Sequence, residues 1–127
     1  MDMNAPRRDR LARYADMMSA MGAGPRLRIM RELLSAHPGG LVVGEIQANL
    51  RIPGPTLSHH LDRLKTQGLV RVRREGTFLR YSANADVLRE LLGFLFAECC
   101  SRSGAVDLDS ITRLCEQCRP RGPRTGD

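Results

Sequence analysis

Apolar residues recur along this chain with two different periods, and the switch between them divides it into elements. From Arg10 to Met21 the positions Leu11, Tyr14, Ala15, Met18 and Met21 follow helical spacing and predict a first helix packed along that stripe. Gly22 and Gly24 stop it. Pro25 suits the first turn of a second helix, whose Leu27, Ile29, Met30, Leu33 and Leu34 form a broad stripe expected to be buried. "HPGG" ends that helix near His37. A short third helix, "VGEIQANL", follows, and "RIPG" breaks the chain again. The strongest helical pattern is "GPTLSHHLDRLKTQGL", with Leu57, Leu61 and Leu64 on one face and Gly68 as its stop.

After Gly68 the period drops to two. In "LVRVRR", Val70 and Val72 alternate with Arg71 and Arg73, as in a half-exposed strand. A second run, "TFLRYS", lies beyond Glu75-Gly76, a linker suited to a tight hairpin turn. Asn84 then caps a fifth helix, "ADVLRELLGFLFAECC", and Asp107 or Asp109 caps a sixth, "SITRLCEQC". This order predicts a mainly α fold with a small β-hairpin wing: a winged helix-turn-helix. Residues 1–8 and the basic 119–127 read as flexible ends around one domain over 9–118, a size that 127 residues support.

Charge sharpens the picture. The formal net charge is +6, and arginines cluster at Arg71, Arg73, Arg74 and Arg80 and at both ends of the chain. Such concentration favours a polyanion-binding face over general solubility. No apolar stretch suits a signal peptide or a membrane span, so a cytoplasmic location is expected. No Gly-rich phosphate loop and no paired carboxylates are present, and the histidines are placed away from the thiols, so an enzyme is not expected.

With Leu57, Leu61 and Leu64 turned inward, Pro55, Thr56, Ser58, His59, Asp62 and Arg63 fall on or beside the opposite face. Those near the helix start are placed to enter a major groove of double-stranded DNA, where Ser and Thr bond bases or phosphates. Arg73, Arg74 and Arg80, around the hairpin turn, would meet phosphates or the minor groove. His59 and His60, about 100° apart on a helix, are poorly placed to share a metal.

The strings "GPRLRIMRELL", "VGEIQANL" and "PTLSHHLDRLKTQGLVRVRREGTFLRYS" resemble the ArsR family of metal- and metalloid-responsive repressors over about residues 10–100. The resemblance implies a homodimer joined through its first and fifth helices, reading a palindromic operator and released by an inducer. It places the DNA contacts at Gly54, Pro55, Thr56, Ser58 and His59, with the wing at Arg73 and Arg74.

All four cysteines lie in 99–118: Cys99 and Cys100 side by side, then Cys115 and Cys118. In a reducing compartment such a cluster reads as ligands or redox groups. "LVVGEI" lacks the Cys-Val-Cys of many arsenic-responsive relatives, and the fifth helix lacks the His of zinc- and nickel-type ones. "ECC" at the end of the fifth helix resembles a third arrangement, found in arsenic sensors with a further cysteine downstream. The implied inducer is trivalent arsenic or antimony on Cys99 and Cys100, with Cys118 or Cys115 as a third ligand and no cofactor required. Soft thiolates suit such thiophilic centres. Sensing of a divalent soft metal (zinc, cadmium, lead) or of thiol redox or persulfide state through the same cysteines remains open.

Overall fold

The computed structural model describes the backbone of residues 5–102 and 104–115, and the side chains of 9–98 and 104–115. Six helices and three strands follow one another as α1 (Ala5–Met21), α2 (Gly24–Ser35), β1 (Leu41–Val42), α3 (Val43–Leu50), α4 (Gly54–Thr66), β2 (Val70–Glu75), β3 (Phe78–Ala83), α5 (Ala85–Arg102) and α6 (Leu108–Leu114). The chain forms two compact units that divide within α5, after Leu88.

The first unit is a winged helix-turn-helix. Met17, Ile29, Met30, Leu33, Ile46, Leu57, Leu61, Leu64 and Leu69 are fully buried. Each contributes about 1.5–3 kcal/mol of transfer free energy, and together they weld α1, α2, α3 and α4 onto the sheet. The sheet order is β1-β3-β2, antiparallel throughout.

The stripe expected on α1 needs correction. Tyr14, Met17 and Ala20 are buried, whereas Leu11, Ala15 and Met18 are exposed. The helix carries two apolar stripes, and the inward one runs through Met17, which the spacing argument passed over. On α2, Ile29, Met30 and Leu33 are buried as expected, but Leu27 and Leu34 stand in solvent at 57% and 46% exposure. A stripe that broad exceeds the arc of a helix that its neighbours can cover.

The segment after α2 also differs from the expected plain helix stop. Gly40 takes φ +75°, and β1 pairs Leu41 with Tyr81 and Val42 with Arg80. A two-residue strand is invisible to period analysis. The hairpin turn is shifted by one residue from expectation: Glu75 pairs with Phe78, leaving Gly76-Thr77 as the loop, with Gly76 at φ +60°. A positive φ at the first loop position is what a two-residue turn asks of a glycine.

Helix ends are closed by specific partners. Glu45 Oε1 accepts the Val42 backbone N–H at 3.1 Å, the carboxylate half of a capping box before α3. Arg51 ends α3 in the left-handed region at φ 54°, its N–H bonded to the Gln47 carbonyl. Arg28, from α2, donates to the Leu50 carbonyl at 3.1 Å, satisfying an orphan acceptor at the same terminus. Asn84 caps α5 as expected, accepting the Val87 N–H at 3.4 Å. In the second unit Asp107, rather than Asp109, caps α6 by accepting the Ser110 N–H at 2.6 Å, which lowers its carboxyl pKa. Residues 116–118, expected to continue that helix, lie outside the described residues, as do the tail 119–127 and residues 1–4 of the expected arm 1–8, whose residues 5–8 belong to α1. Among the described residues no helix is long and apolar enough to cross a membrane.

Candidate nucleic-acid interface

The helix-turn-helix is built by α3, the turn Arg51-Ile52-Pro53 and α4. Ile52 is buried and anchors the turn from below. Pro53 accepts the first helical bond of α4, from the Leu57 N–H at 2.8 Å. With Pro55 in the first turn, this fixes the entry of α4 without a side-chain cap. The uncapped amides and the absence of acidic residues in the first turn leave that end electropositive and suited to a phosphate.

Leu57, Leu61 and Leu64 pin one face of α4 into the core. Pro55, Thr56, Ser58, His59, Asp62 and Arg63 are all exposed on the other side, and Gly54 is half-buried. The structure thus presents the residues expected to touch DNA as one outward face. The rings of His59 and His60 stay close to one another, with centroids 6.0 Å apart and planes tilted by 54°. His60 turns toward Arg26, whose guanidinium lies 3.5 Å from its Nδ1. Burial first, then Arg26 and His59, lower its pKa from 6.5 and favour the neutral ring. Among the described residues no group of three or more His, Cys, Asp or Glu side chains could hold a metal ion.

The wing carries its arginines in unequal states. Glu75 Oε1 accepts from Arg73 at 2.7 Å and from Arg80 Nε at 2.8 Å. These two bonds hold its carboxyl below its ordinary value. Arg80 also donates to the Gly40 carbonyl at 3.2 Å and is half-buried, so it ties β1 to the wing. Arg71 reaches Asp86 at 3.5 Å with both side chains well exposed, a weak contact. Arg74 is exposed and makes no ion pair with any described residue, which makes it the wing arginine most available to a phosphate. A recess of about 300 Å³ on the wing is lined in part by Arg71, Arg73, Arg80 and Ser82.

Sequence reading missed two features here. Phe78, 64% exposed at the wing tip, belongs to the same outward surface as the arginines. Its only signal was an aromatic residue directly after the turn. Arg28 carried no assigned role and Arg80 was expected to meet DNA, yet one closes a helix and the other ties strands together.

Of the cysteines, Cys99 and Cys100 lie on the helical backbone of α5, with side chains outside the described residues, and Cys118 is wholly outside them. Cys115 follows α6 directly and is half-buried.

Comparison with known proteins agrees with this geometry. A family model described as "Helix-turn-helix domain" matches residues 25–73. An uncharacterised HTH-type transcriptional regulator of Methanocaldococcus jannaschii is 36% identical over 84 residues, covering 66% of this chain and 92% of that one. A putative arsenical resistance operon repressor of Halobacterium salinarum is 33% identical over 86 residues, 66% of this chain and 71% of the relative. Among solved structures, a homodimeric winged helix-turn-helix DNA-binding domain of Mycobacterium bovis, a possible ArsR-family regulator, superposes with TM-score 0.62. It is 28% identical, over 84% of this chain and 96% of that one. These relatives are regulators of transcription and not enzymes.

Proposed function

Because this chain belongs to the ArsR family of winged helix-turn-helix transcriptional repressors, we propose that it leaves its operator when trivalent arsenic binds its cysteine thiolates. The observation that carries this reading is the pair Cys99-Cys100 in the last turn of α5, two thiols on consecutive residues of one helix. Arsenous acid carries three hydroxyls. Each thiol that attacks forms one S–As bond and breaks one As–O bond, and its proton leaves with the hydroxyl as water. No electron changes hands, so no oxidant or reductant is needed. Antimonite reacts in the same way. Cys118 or Cys115 supplies the third sulfur for an inorganic centre.

Operator DNA is read by a homodimer. The exposed Leu11, Ala15 and Met18 of α1 form an unpaired apolar stripe that a partner subunit would cover, joined by α5. Two α4 helices then enter successive major grooves about 34–36 Å apart, with Thr56, Ser58, His59 and Arg63 against base edges and backbone. Gly54 and Pro55 bring the helix start close to phosphate, and Arg73 and Arg74 follow the flanking backbone. Thiolate ligation at the end of α5 reorders a dimerisation helix and changes the spacing of the two α4 helices. Couplings of this kind are typically about 1–3 kcal/mol, or roughly 5–150-fold in affinity.

The test is fluorescence anisotropy on the promoter DNA upstream of the protein's own coding sequence, titrated with arsenite, zinc and cadmium under reducing conditions. Release by arsenite alone, lost in Cys99→Ser/Cys100→Ser while DNA binding persists, is the expected result. Release by zinc or cadmium only would retain the repressor and discard the metalloid. Resistance to all three would turn attention to thiol oxidation.

A further inference from the structure

The face of the sheet turned away from the helices carries more positive charge than the fold neutralises. Val70, Tyr81 and Ala83 are buried on the side where α2 and α4 pack. Strand alternation therefore puts Arg71, Arg73, Arg80 and Ser82 on the opposite face, and Arg74 on the helix side. Together with Pro38 and Gly39, from the segment after α2, those four residues line a recess of about 300 Å³. That volume lies at the lower end of the range for small-ligand sites. The register gathers the polar groups, with Arg73 directly across from Arg80 and Arg71 across from Ser82.

Protein partners leave much of this cluster unused. Glu75 bonds Arg73 and Arg80 but is not part of the lining. Asp86 reaches Arg71 at 3.5 Å with both side chains exposed, where water screens the pair. Arg80 donates once to Glu75 and once to the Gly40 carbonyl, while Arg71 and Arg73 each donate to one carboxylate. Their other N–H groups and the Ser82 hydroxyl have no partner among the described residues. Guanidinium forks and a hydroxyl around one recess suit a tetrahedral oxyanion with several acceptor oxygens. A dianion there also offsets the like-charge pair across the strands. We infer that this recess binds the phosphoryl group of a small phosphoester, and that its occupancy weakens the hold on the operator. The volume leaves room for a short organic body over Pro38 beside the phosphoryl group. Arg73 supplies the coupling, because a guanidinium engaged by the ligand is withdrawn from the flanking DNA backbone. That effect rests on the operator contacts proposed above, whereas binding of the phosphoester does not.

The experiment adds glycerol phosphate, inorganic phosphate, succinate or chloride to the full-length protein at one pH and one ionic strength. Melting temperature is read without DNA, and anisotropy with labelled promoter DNA, for wild type, Arg71→Gln and Ser82→Ala. Glycerol phosphate should raise the melting temperature above its value in chloride, by mass action on the folded state. It should also lower operator affinity about fivefold, and inorganic phosphate should do both at higher concentration. Each substitution should remove both responses and leave operator affinity in chloride near that of wild type. Succinate acting as well as the phosphoester would overturn the phosphoryl assignment. Responses that survive both substitutions would place the anion elsewhere and overturn the site. No response to any free anion, with a shallower salt slope of operator binding in Arg71→Gln, would give the recess to a DNA phosphate and overturn the small ligand. A raised melting temperature with unchanged operator affinity would keep the site and overturn its coupling to DNA. If the promoter is not bound even in chloride, the operator reading fails, and the melting temperatures alone still decide the recess.

Discussion

Arg73 and Arg80 stand directly opposite one another on β2 and β3, and a single carboxylate oxygen of Glu75 bonds to both, at 2.7 and 2.8 Å. Like charges in a cross-strand pair are destabilising, and the bridging carboxylate turns this pair into a stable clasp. The wing thus pairs two of its arginines with Glu75, though the Arg73 side chain stays largely exposed, and leaves Arg74 without an ion pair to any described residue.

Arg74→Ala should accordingly lower the salt dependence of operator binding by about one phosphate contact, visible as a shallower slope of log affinity against log salt. Glu75→Gln should steepen that slope by about one, while amide exchange in 71–80 becomes faster. The carboxyl titrates below its ordinary 4.5 because Arg73, then Arg80, stabilise its charged form. Its contribution is therefore present above that value and is lost as pH falls below it. An unchanged salt slope in Arg74→Ala would remove Arg74 from the interface.

Thr56→Ala and Ser58→Ala alter exposed positions on α4. Each should weaken discrimination between operator and non-operator DNA by about 1–3 kcal/mol, with an unchanged melting temperature. Leu61→Ala, on the buried face, should do the reverse: about 2–5 kcal/mol of stability is lost in urea titration.

Asn84 links two segments at once. Its Nδ2 donates to the Gly68 carbonyl at 2.9 Å, its Oδ1 caps α5, and its own N–H bonds to the Leu69 carbonyl. Asn84→Ala should cost about 1–3 kcal/mol in equilibrium unfolding, because a partly buried carbonyl loses its donor as the helix loses its cap. Asn84→Asp restores only the cap, so recovery in that variant should be partial.

Gly40 approaches β3 so closely that a Cβ there would overlap the Tyr81 carbonyl oxygen, and its φ of +75° adds a second penalty for any other residue. Gly40→Ala should detach β1 and expose the Arg80 guanidinium. The change would be detected as lost protection of the amides at Leu41 and Val42 and a lower melting temperature.

His60 provides a pH dependence whose sign is set by its lowered pKa. The unfolded chain binds the proton more tightly, so the contribution of neutral His60 to stability is complete above about 6.5 and declines as pH falls below it. Melting temperatures of wild type and His60→Gln should converge as the pH is lowered through that range, the variant showing the flatter profile. Parallel profiles would mean that neither burial nor Arg26 lowers the pKa of the ring.

Much of this protein was legible in its linear pattern. Leu57, Leu61 and Leu64 fall at helical spacing, Val70 and Val72 at strand spacing, and Gly68 separates them, so the recognition helix and the wing follow from local periodicity and turn chemistry alone. Exposed α4 residues were assignable for the same reason, since a helix buried on one face shows its other. Long-range partnership decided the rest. Which of the two apolar stripes of α1 turns inward depends on what α2 and α4 present to it, and Met17 won over Met18 on that ground. β1 exists only because Gly40 lets the chain meet Tyr81. Arg73, Arg74 and Arg80, which look alike in "RVRREGTFLR", differ because Glu75 lies within bonding distance of the first and last and not of Arg74. Periodicity reports the environment along one element, but the choice between equivalent faces and equivalent charges is made by contacts between residues distant in the chain.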